Sequence, residues 1–369
     1  MAKSAGIATK VKLKSFSGLD HKYRGLLGRG HWTLCVGAGI SEGLVPTWPE
    51  LTRRVVNLAF GANYDGKDFF KLTQGVRWSL DALLQGAANK LEHEGRPPED
   101  FADMLEEALY SDLITEAKAE STARELIVAL NNPRWLGKSE ARKVIRYFEK
   151  FHSKTTLTQI ARALAKAKDL SKGPSAVVNF NADTLLFALL DLYLIAEHSD
   201  KVGRWEHPSP SFRRAFRGVD GLDNEATPIF HCHGAITPRP GARKARDSRD
   251  HLVFTENDYL QIAGNVATWA QSLFLFHAQS SNFLIIGHSL ADPNIRKWLA
   301  WSLESSLDER TAMSTASAFT PRHIWITRKP KDPMLRHVQE MSLLHLGVRI
   351  CWIEQWTDIE ATIENLAGI

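Results

Sequence analysis

The chain has 369 residues, of which 44% are apolar, and this is ample for a globular protein with a sizeable core. The formal net charge is +4 at pH 7, which is too small to indicate a dedicated nucleic-acid binder. No run approaches about 18 uninterrupted apolar residues and the N-terminus lacks a charged-then-apolar pattern, so neither a membrane span nor secretion is predicted.

The first predicted segment is a polar, basic arm over residues 1–30. Four lysines, the last of them Lys14, precede the first acidic residue, Asp20, and the segment has little hydrophobic periodicity. We expect this arm to lie outside the core and to serve in assembly.

A glycine-containing turn follows the first predicted strand, residues 32–36. Gly37 and Gly39 let backbone N–H groups approach a phosphate where a helix begins, and Ser41 offers a hydroxyl and an N–H group. The turn predicts a cradle for a dinucleotide, although the same residues also suit an ordinary tight strand-to-helix turn. The run behind it is more specific and comprises Gly43, Pro46, Trp48 and Leu51.

Helical periodicity with few strand signals extends from about residue 50 to about residue 173. It predicts a large helical insertion, which forms either a lid or oligomer surface over the pocket or a second packed layer. Strand signals return in five short apolar runs, at residues 176–179, 229–233, 283–287, 323–327 and 348–353. Short apolar runs separated by helices predict an α/β fold, a Rossmann-like, mostly parallel sheet with helices on both faces.

Three of these predicted strands end in residues suited to binding a ligand. They are Asn179, His233 and Gly287, and the last begins the segment Gly-His-Ser-Leu-Ala-Asp-Pro-Asn. Ligands of open α/β sheets bind at the carboxyl ends of the strands, so we expect the three residues to converge with the turn at Gly37. Taken singly, each also suits a structural role, such as a strand histidine, a cap or a turn.

Four segments carry a family resemblance: the glycine turn with the run behind it, and the strand ends at Asn179, His233 and Gly287. In this order they resemble the Sir2 superfamily, and in particular the bacterial Sir2-like domains of antiphage defence systems. The resemblance extends to residues 252–259, which look like the acidic-Tyr segment of those domains. It implies a Sir2-like Rossmann domain over residues 31–369, interrupted by the insertion at about 50–173, in a bacterial cytoplasmic protein. It also implies an NAD⁺ glycohydrolase whose substrate is NAD⁺.

The resemblance assigns roles to individual residues. Asn179 would hold the nicotinamide ribose and His233, with a near-neutral pKa, would be the base. The implied cofactor-binding residues are Gly37, Ala38, Gly39, Ser41, Pro46, Trp48, Asn181, Asp183, Gly287, Ser289, Asp292 and Asn294. The family pattern runs Asn-Tyr-Asp directly into a Leu-Leu helix, whereas this chain holds an extra residue, so either Asn181 or Asp183 fills the Asp position.

Metal ligands are scarce in the sequence. Sirtuin deacylases carry four zinc-binding cysteines, whereas this chain has only Cys35, Cys232 and Cys351, with no Cys-x-x-Cys pair, and this excludes a zinc ribbon. The wide separation of the cysteines suits a reducing cytoplasm. His231 and His233 alternate onto one strand face, but no third ligand stands at a diagnostic spacing, so we predict no metal.

The resemblance also implies a biological setting. The enzyme would release nicotinamide and ADP-ribose and deplete NAD⁺ during phage infection, a form of abortive infection. Its expected partners are further copies of itself in a homo-oligomer and an activating protein such as a HerA-type ATPase or a short Argonaute.

Three other functions remain open. They are an NAD-dependent protein deacylase, a non-catalytic NAD or ADP-ribose binding module, and direct nucleic-acid binding through the N-terminal lysines and the basic segment Arg239–Arg249. That basic segment follows His233, where it would cover a bound dinucleotide or contact an anionic partner.

Overall fold

A single parallel sheet is the centre of the fold. The computed structural model describes residues 18–20, 23–27, 31–169, 171–197, 211–215, 226–238, 252–264, 268–312 and 321–369. The strands are β1 (Leu19–Asp20), β2 (Trp32–Val36), β3 (Ala176–Asn179), β4 (Phe212–Ala215), β5 (Thr227–His231), β6 (Asn282–Ile286), β7 (His323–Arg328) and β8 (Val348–Ile353). They pair in the order β1-β8-β7-β6-β2-β3-β5-β4, and every pairing is parallel, which confirms the predicted α/β fold.

Thirteen α-helices cover this sheet in the part of the chain that the structure describes. They are α1 (Trp48–Phe60), α2 (Gly66–Val76), α3 (Leu80–His93), α4 (Pro98–Ala119), α5 (Ala123–Asn131), α6 (Lys138–Phe151), α7 (Thr156–Asp169), α8 (Leu185–Glu197), α9 (Glu256–Gly264), α10 (Trp269–Ser280), α11 (Pro293–Ala312), α12 (Pro333–Leu343) and α13 (Ile359–Ala367). Helices α1 to α7 lie between β2 and β3, which confirms the predicted insertion. Its last helix packs on α8 and α13 and so belongs to a packed layer. None of the described helices has both the length and the apolar composition to cross a membrane.

Alternation along the strands builds one core on each face of the sheet. Leu34 and Val36 of β2 belong to a core formed with the insertion helices, α8 and α13. Cys35, between them, belongs to a second core that includes Phe274 of α10 and Trp298 of α11. Successive strand residues point to opposite faces, so the continuous apolar runs in the sequence reflect strands that are buried on both sides.

Part of the predicted N-terminal arm joins the fold. Leu19 pairs with Cys351 in parallel register at the edge of the sheet, and both Leu19 and Leu27 are buried in the core. Backbone N–H groups of Gly25 and Leu27 donate to carbonyls at the end of α13. The expectation that residues up to 30 lie outside the core therefore fails for this part, because pairing with the distant β8 leaves no local periodicity. The four lysines of the arm lie outside the described residues.

One ion pair ties the insertion to helix α8. Asp191 has no exposed side-chain surface, and its Oδ2 lies 3.0 Å from Nε of Arg134. The second carboxylate oxygen accepts from Nη2 of Arg134 at 3.2 Å. A buried carboxylate is stable only when it is paired in this way, so the segment carrying Arg134 is fixed against α8.

Replacing Arg134 tests this contact. We expect Arg134→Met to lower the free energy of unfolding by about 3 to 5 kcal/mol, because it removes the guanidinium that pairs with a buried carboxylate. Urea denaturation followed by circular dichroism measures the change. In the matched control, Arg96→Met, the carboxylate that loses its cation belongs to the partly exposed Asp100. The free energy of unfolding should therefore fall by less than about 1 kcal/mol. Equal losses in the two variants would contradict the assignment.

Candidate active site

A cavity of about 670 Å³ lies at the carboxyl ends of the strands. The chain passes from β2 to β3 on one side of β2 and later returns to β6 on its other side, so the strand order reverses there. Loops after β2, β3, β5 and β6 all contribute residues to the cavity wall. Ligands of open α/β sheets bind at such a reversal, and the volume falls within the range of about 300 to 1,000 Å³ for small-molecule sites. His233 and Gly287 converge with the turn at Gly37 as predicted, whereas Asn179 does not line the cavity.

Three glycines interlock beneath this cavity. Gly37 donates its N–H to the carbonyl of Ile286 at 3.1 Å, and Gly39 donates to that of Gly287 at 3.0 Å. A Cβ atom at position 37 or 39 would lie 2.8 Å from the carbonyl oxygen of Gly287, whose own φ is +72°. The contact between the two loops therefore requires all three glycines. Ala38 and Gly39 remain exposed and line the cavity.

A chain of hydrogen bonds orients the side chain of Asn181. The Ser41 hydroxyl donates to Oδ2 of Asp183 at 2.9 Å, and Nδ2 of Asn181 donates to the Ser41 oxygen at 3.4 Å. Oδ1 of Asn181 is buried with no partner among the described residues, and Asn181 lines the cavity. The amide is thus held with its donor side engaged, and its acceptor oxygen is left for a ligand.

The carboxyl group of Asp183 is the last acceptor in this series of hydrogen bonds. It is 4% exposed, and burial raises its pKa to about 6, against the opposing effects of hydrogen bonds from Ser41 and from the backbone N–H of Leu185. The latter bond, 3.1 Å long, caps the start of α8. Asp183 and Asn181 thus both contact the Ser41 hydroxyl at the end of the glycine turn.

Asn179 lies behind the cavity and does not line it. It is 1% exposed, its Oδ1 accepts the backbone N–H of Asn181 at 2.9 Å, and its Nδ2 lies 3.4 Å from Nδ1 of His231. The structure therefore does not support contact between Asn179 and a ribose. Asn179 is the last residue of β3 and lies between the covering layers, whereas the chain reaches the cavity only beyond the strand end. Asn181 is the amide at the cavity.

His233 reaches the cavity where β5 ends. Its ring lies edge to face with those of Phe180 and Tyr259, with centroid distances of 5.0 and 5.7 Å. Burial, together with the nearby His288, lowers the pKa of His233 to about 4, below the near-neutral value that the sequence suggests. The imidazole is consequently neutral at pH 7 and has a lone pair to accept a proton.

Most of the predicted binding residues meet at this cavity. Those that line it are Gly37, Ala38, Gly39, Pro46, Trp48, Asn181, Asp183, His233, Gly287, Ser289 and Asp292. Ser41 acts from behind the wall through Asp183, and Asn294 donates its backbone N–H to Oδ1 of Asp292 at the start of α11. The basic segment Arg239–Arg249 lies outside the described residues.

Several residues of the cavity wall are not predicted from the sequence. Trp325 in β7 and Trp356 after β8 line the cavity, although nothing in their own segments marks a site. His288, in the glycine segment after β6, also lines it. Phe254 packs on Trp48 with ring centroids 5.4 Å apart and closes one side. Only the packing of distant segments brings these rings together.

The charged side chains that the described residues bring to the wall are acidic, namely Glu42, Asp183 and Asp292. They give the wall a negative potential that favours positive charge in a ligand. Within the same residues, no group of three or more His, Cys, Asp or Glu side chains is arranged to hold a metal ion.

Comparison with known families agrees with this geometry. Residues 178–348 match the family model of the SIR2-like domain, which supports the Sir2 superfamily and fits NAD-related chemistry. The matched region starts in β3 and ends at the start of β8, so it contains Asn181, His233 and Gly287 but not the turn at Gly37. No curated protein matches the chain.

The Ser41 hydroxyl lowers the pKa of Asp183, and its removal tests the hydrogen-bond chain. We expect Ser41→Ala to raise the pKa of Asp183 above about 6, because burial then acts with less opposition. Carboxyl ¹³C shifts recorded across a pH titration report the value. Ser289→Ala, which removes a hydroxyl elsewhere on the wall, should leave it unchanged. A similar pKa in wild type and Ser41→Ala would refute the contact.

Buried histidines predict acid sensitivity. Burial lowers the pKa to about 3 or 4 for His231, His233, His277, His288 and His323. The unfolded chain binds protons at these sites near pH 6.5, so their contribution to stability is complete above about pH 6.5 and is lost as pH falls toward about 4. The pKa of Asp183 is raised, so its effect on stability has the opposite sign as pH falls and offsets the effect of one histidine.

Urea midpoints at pH 7.5, 6.0 and 5.0 should therefore decrease in that order. Nδ1 of His323 accepts the backbone N–H of Phe283 at 3.1 Å, far from the cavity wall, and this bond requires a neutral ring. His323→Asn keeps an acceptor but cannot titrate. The stability of this variant should therefore fall less steeply with decreasing pH, by the contribution of about one proton. Midpoints that do not change with pH would exclude this account of the buried imidazoles.

Proposed function

We propose that the chain is an NAD⁺ glycohydrolase that cleaves NAD⁺ to nicotinamide and ADP-ribose. The observation that carries the proposal is the meeting of Asn181 and His233 at one cavity, over the glycine turn at the strand reversal. The match to the SIR2-like domain supports NAD⁺ as the nucleotide.

The chemistry follows from these groups. The bond between nicotinamide and C1′ breaks with its electron pair leaving on neutral nicotinamide, and a positive charge develops on the ribose. The acidic wall favours that charge. Oδ1 of Asn181 accepts a hydrogen bond from the attacking water or a ribose hydroxyl, and His233 takes the proton that the water loses. Water bonded to a cationic carbon loses its proton readily, so a base with a low pKa suffices.

The resemblance seen in the sequence extends this proposal to a biological role. We propose that the chain acts in the bacterial cytoplasm as an antiphage effector that depletes NAD⁺, as part of a homo-oligomer. An activating protein such as a HerA-type ATPase or a short Argonaute would switch it on.

Two alanine variants test the enzyme. Asn181→Ala and His233→Ala should each reduce nicotinamide release by at least about 100-fold, the usual contribution of a positioned acid or base. The purified chain is assayed alone and with the product of its genomic neighbour, and nicotinamide and ADP-ribose are separated by chromatography. The matched control is Asn89→Ala, which removes a surface amide of α3 that does not line the cavity and should leave turnover within a few-fold of wild type.

Normal turnover by His233→Ala would exclude His233 as the base. NAD⁺ binding without turnover, with the partner present, would instead identify a non-catalytic binding module.

A further inference from the structure

The imidazole ring of His288 is fixed in one orientation beside His233. The ring interacts with the backbone carbonyl of Val36, and Nε1 of Trp325 donates to the carbonyl of His288 at 2.9 Å. The ring packs edge to face on Phe180, with centroids 5.2 Å apart. It also lies directly over Gly37, where a Cβ atom would come within 2.8 Å of Nδ1.

This orientation determines which nitrogen carries the proton. Since Nε2 has no partner among the described residues, we assign Nδ1 as the nitrogen that donates to the Val36 carbonyl. Burial lowers the pKa of the ring to about 4, so His288 is neutral at pH 7 with a lone pair on Nε2. Nε2 is buried and has no partner among the described residues, although His288 lines the cavity. A buried acceptor without a donor is unfavourable, so a ligand that supplies a hydroxyl or N–H group gains affinity here.

The position relative to His233 indicates which part of the ligand lies here. Both imidazoles pack edge to face on Phe180, and His288 is close enough to His233 to lower its pKa. His233 faces the ribose in the proposed reaction. The same ribose carries hydroxyl donors, whereas the carboxamide of nicotinamide lies across the bond that breaks.

We propose that Nε2 of His288 accepts a hydrogen bond from a hydroxyl of the nicotinamide ribose, which makes His288 a substrate-binding residue. The inference rests on the proposed function, since NAD⁺ supplies this ribose. After cleavage the same ribose remains in ADP-ribose, so the contact persists in the product complex.

Calorimetric titration with ADP-ribose, and with NAD⁺ in proteins that also carry His233→Ala so that the ligand is not cleaved, tests the contact without relying on turnover. His288→Phe keeps a ring of similar volume but removes the acceptor, and it should bind ADP-ribose about tenfold more weakly than wild type. His288→Gln places a carbonyl oxygen near the position of Nε2 and should recover most of that loss. Circular dichroism checks that both variants fold. If His288→Phe does not fold, the affinity of His288→Gln still tests the contact.

Deoxy analogues identify the donor. Wild type should lose about tenfold in affinity for ADP-ribose that lacks either the 2′- or the 3′-hydroxyl of the terminal ribose, whereas His288→Phe should lose little further for that analogue. Fully additive losses would overturn the proposal.

Two further results would also overturn it. One is a loss seen with NAD⁺ but not with ADP-ribose, which would assign the contact to the carboxamide. The other is unchanged binding of both ligands by His288→Phe while wild type still cleaves NAD⁺, which would leave the proposed function intact. Failure of wild type to bind either ligand would overturn the proposed function as well.

Discussion

The contact between the loops after β2 and β6 is the constraint on which the site depends. Gly37, Gly39 and Gly287 pack so closely that a side chain at any of the three would meet backbone atoms. Two adjacent parallel strands are thereby joined at their carboxyl ends, at the point where strand order reverses. The same contact leaves room for the His288 ring over Gly37. Glycines that look like a phosphate cradle in the sequence thus have a structural function as well.

Around this contact, the polar groups of the site are arranged as neutral acceptors. Asn181 is held through Ser41 and Asp183 so that Oδ1 has no internal donor, and burial keeps His233 without charge. Such groups cost stability when buried without partners, and this is a common feature of binding sites. A ligand rich in hydroxyl donors, with positive charge developing close to carboxylates, fits them. The ribose of NAD⁺ at the moment of cleavage has both properties.

Much of this arrangement follows from local sequence pattern, and the remainder depends on long-range packing. Apolar runs and helical periodicity predict the parallel sheet, the insertion and the convergence of His233 and Gly287 with the turn at Gly37. They do not distinguish Asn179 from Asn181, because the path of the chain after β3 decides which amide reaches the cavity. The pairing of Leu19 with β8 also cannot be predicted from the sequence, since a two-residue strand is too short to show hydrophobic periodicity. His288 becomes significant only when its packing leaves Nε2 without a donor.

The most direct test of the account is the crystal structure of the His233→Ala protein with NAD⁺ bound. We expect the pyrophosphate over the backbone of Ala38 and Gly39, with the nicotinamide ribose within hydrogen-bond distance of Asn181 Oδ1. A dinucleotide bound outside this cavity, or a ribose that contacts Asn179 and not Asn181, would contradict the account.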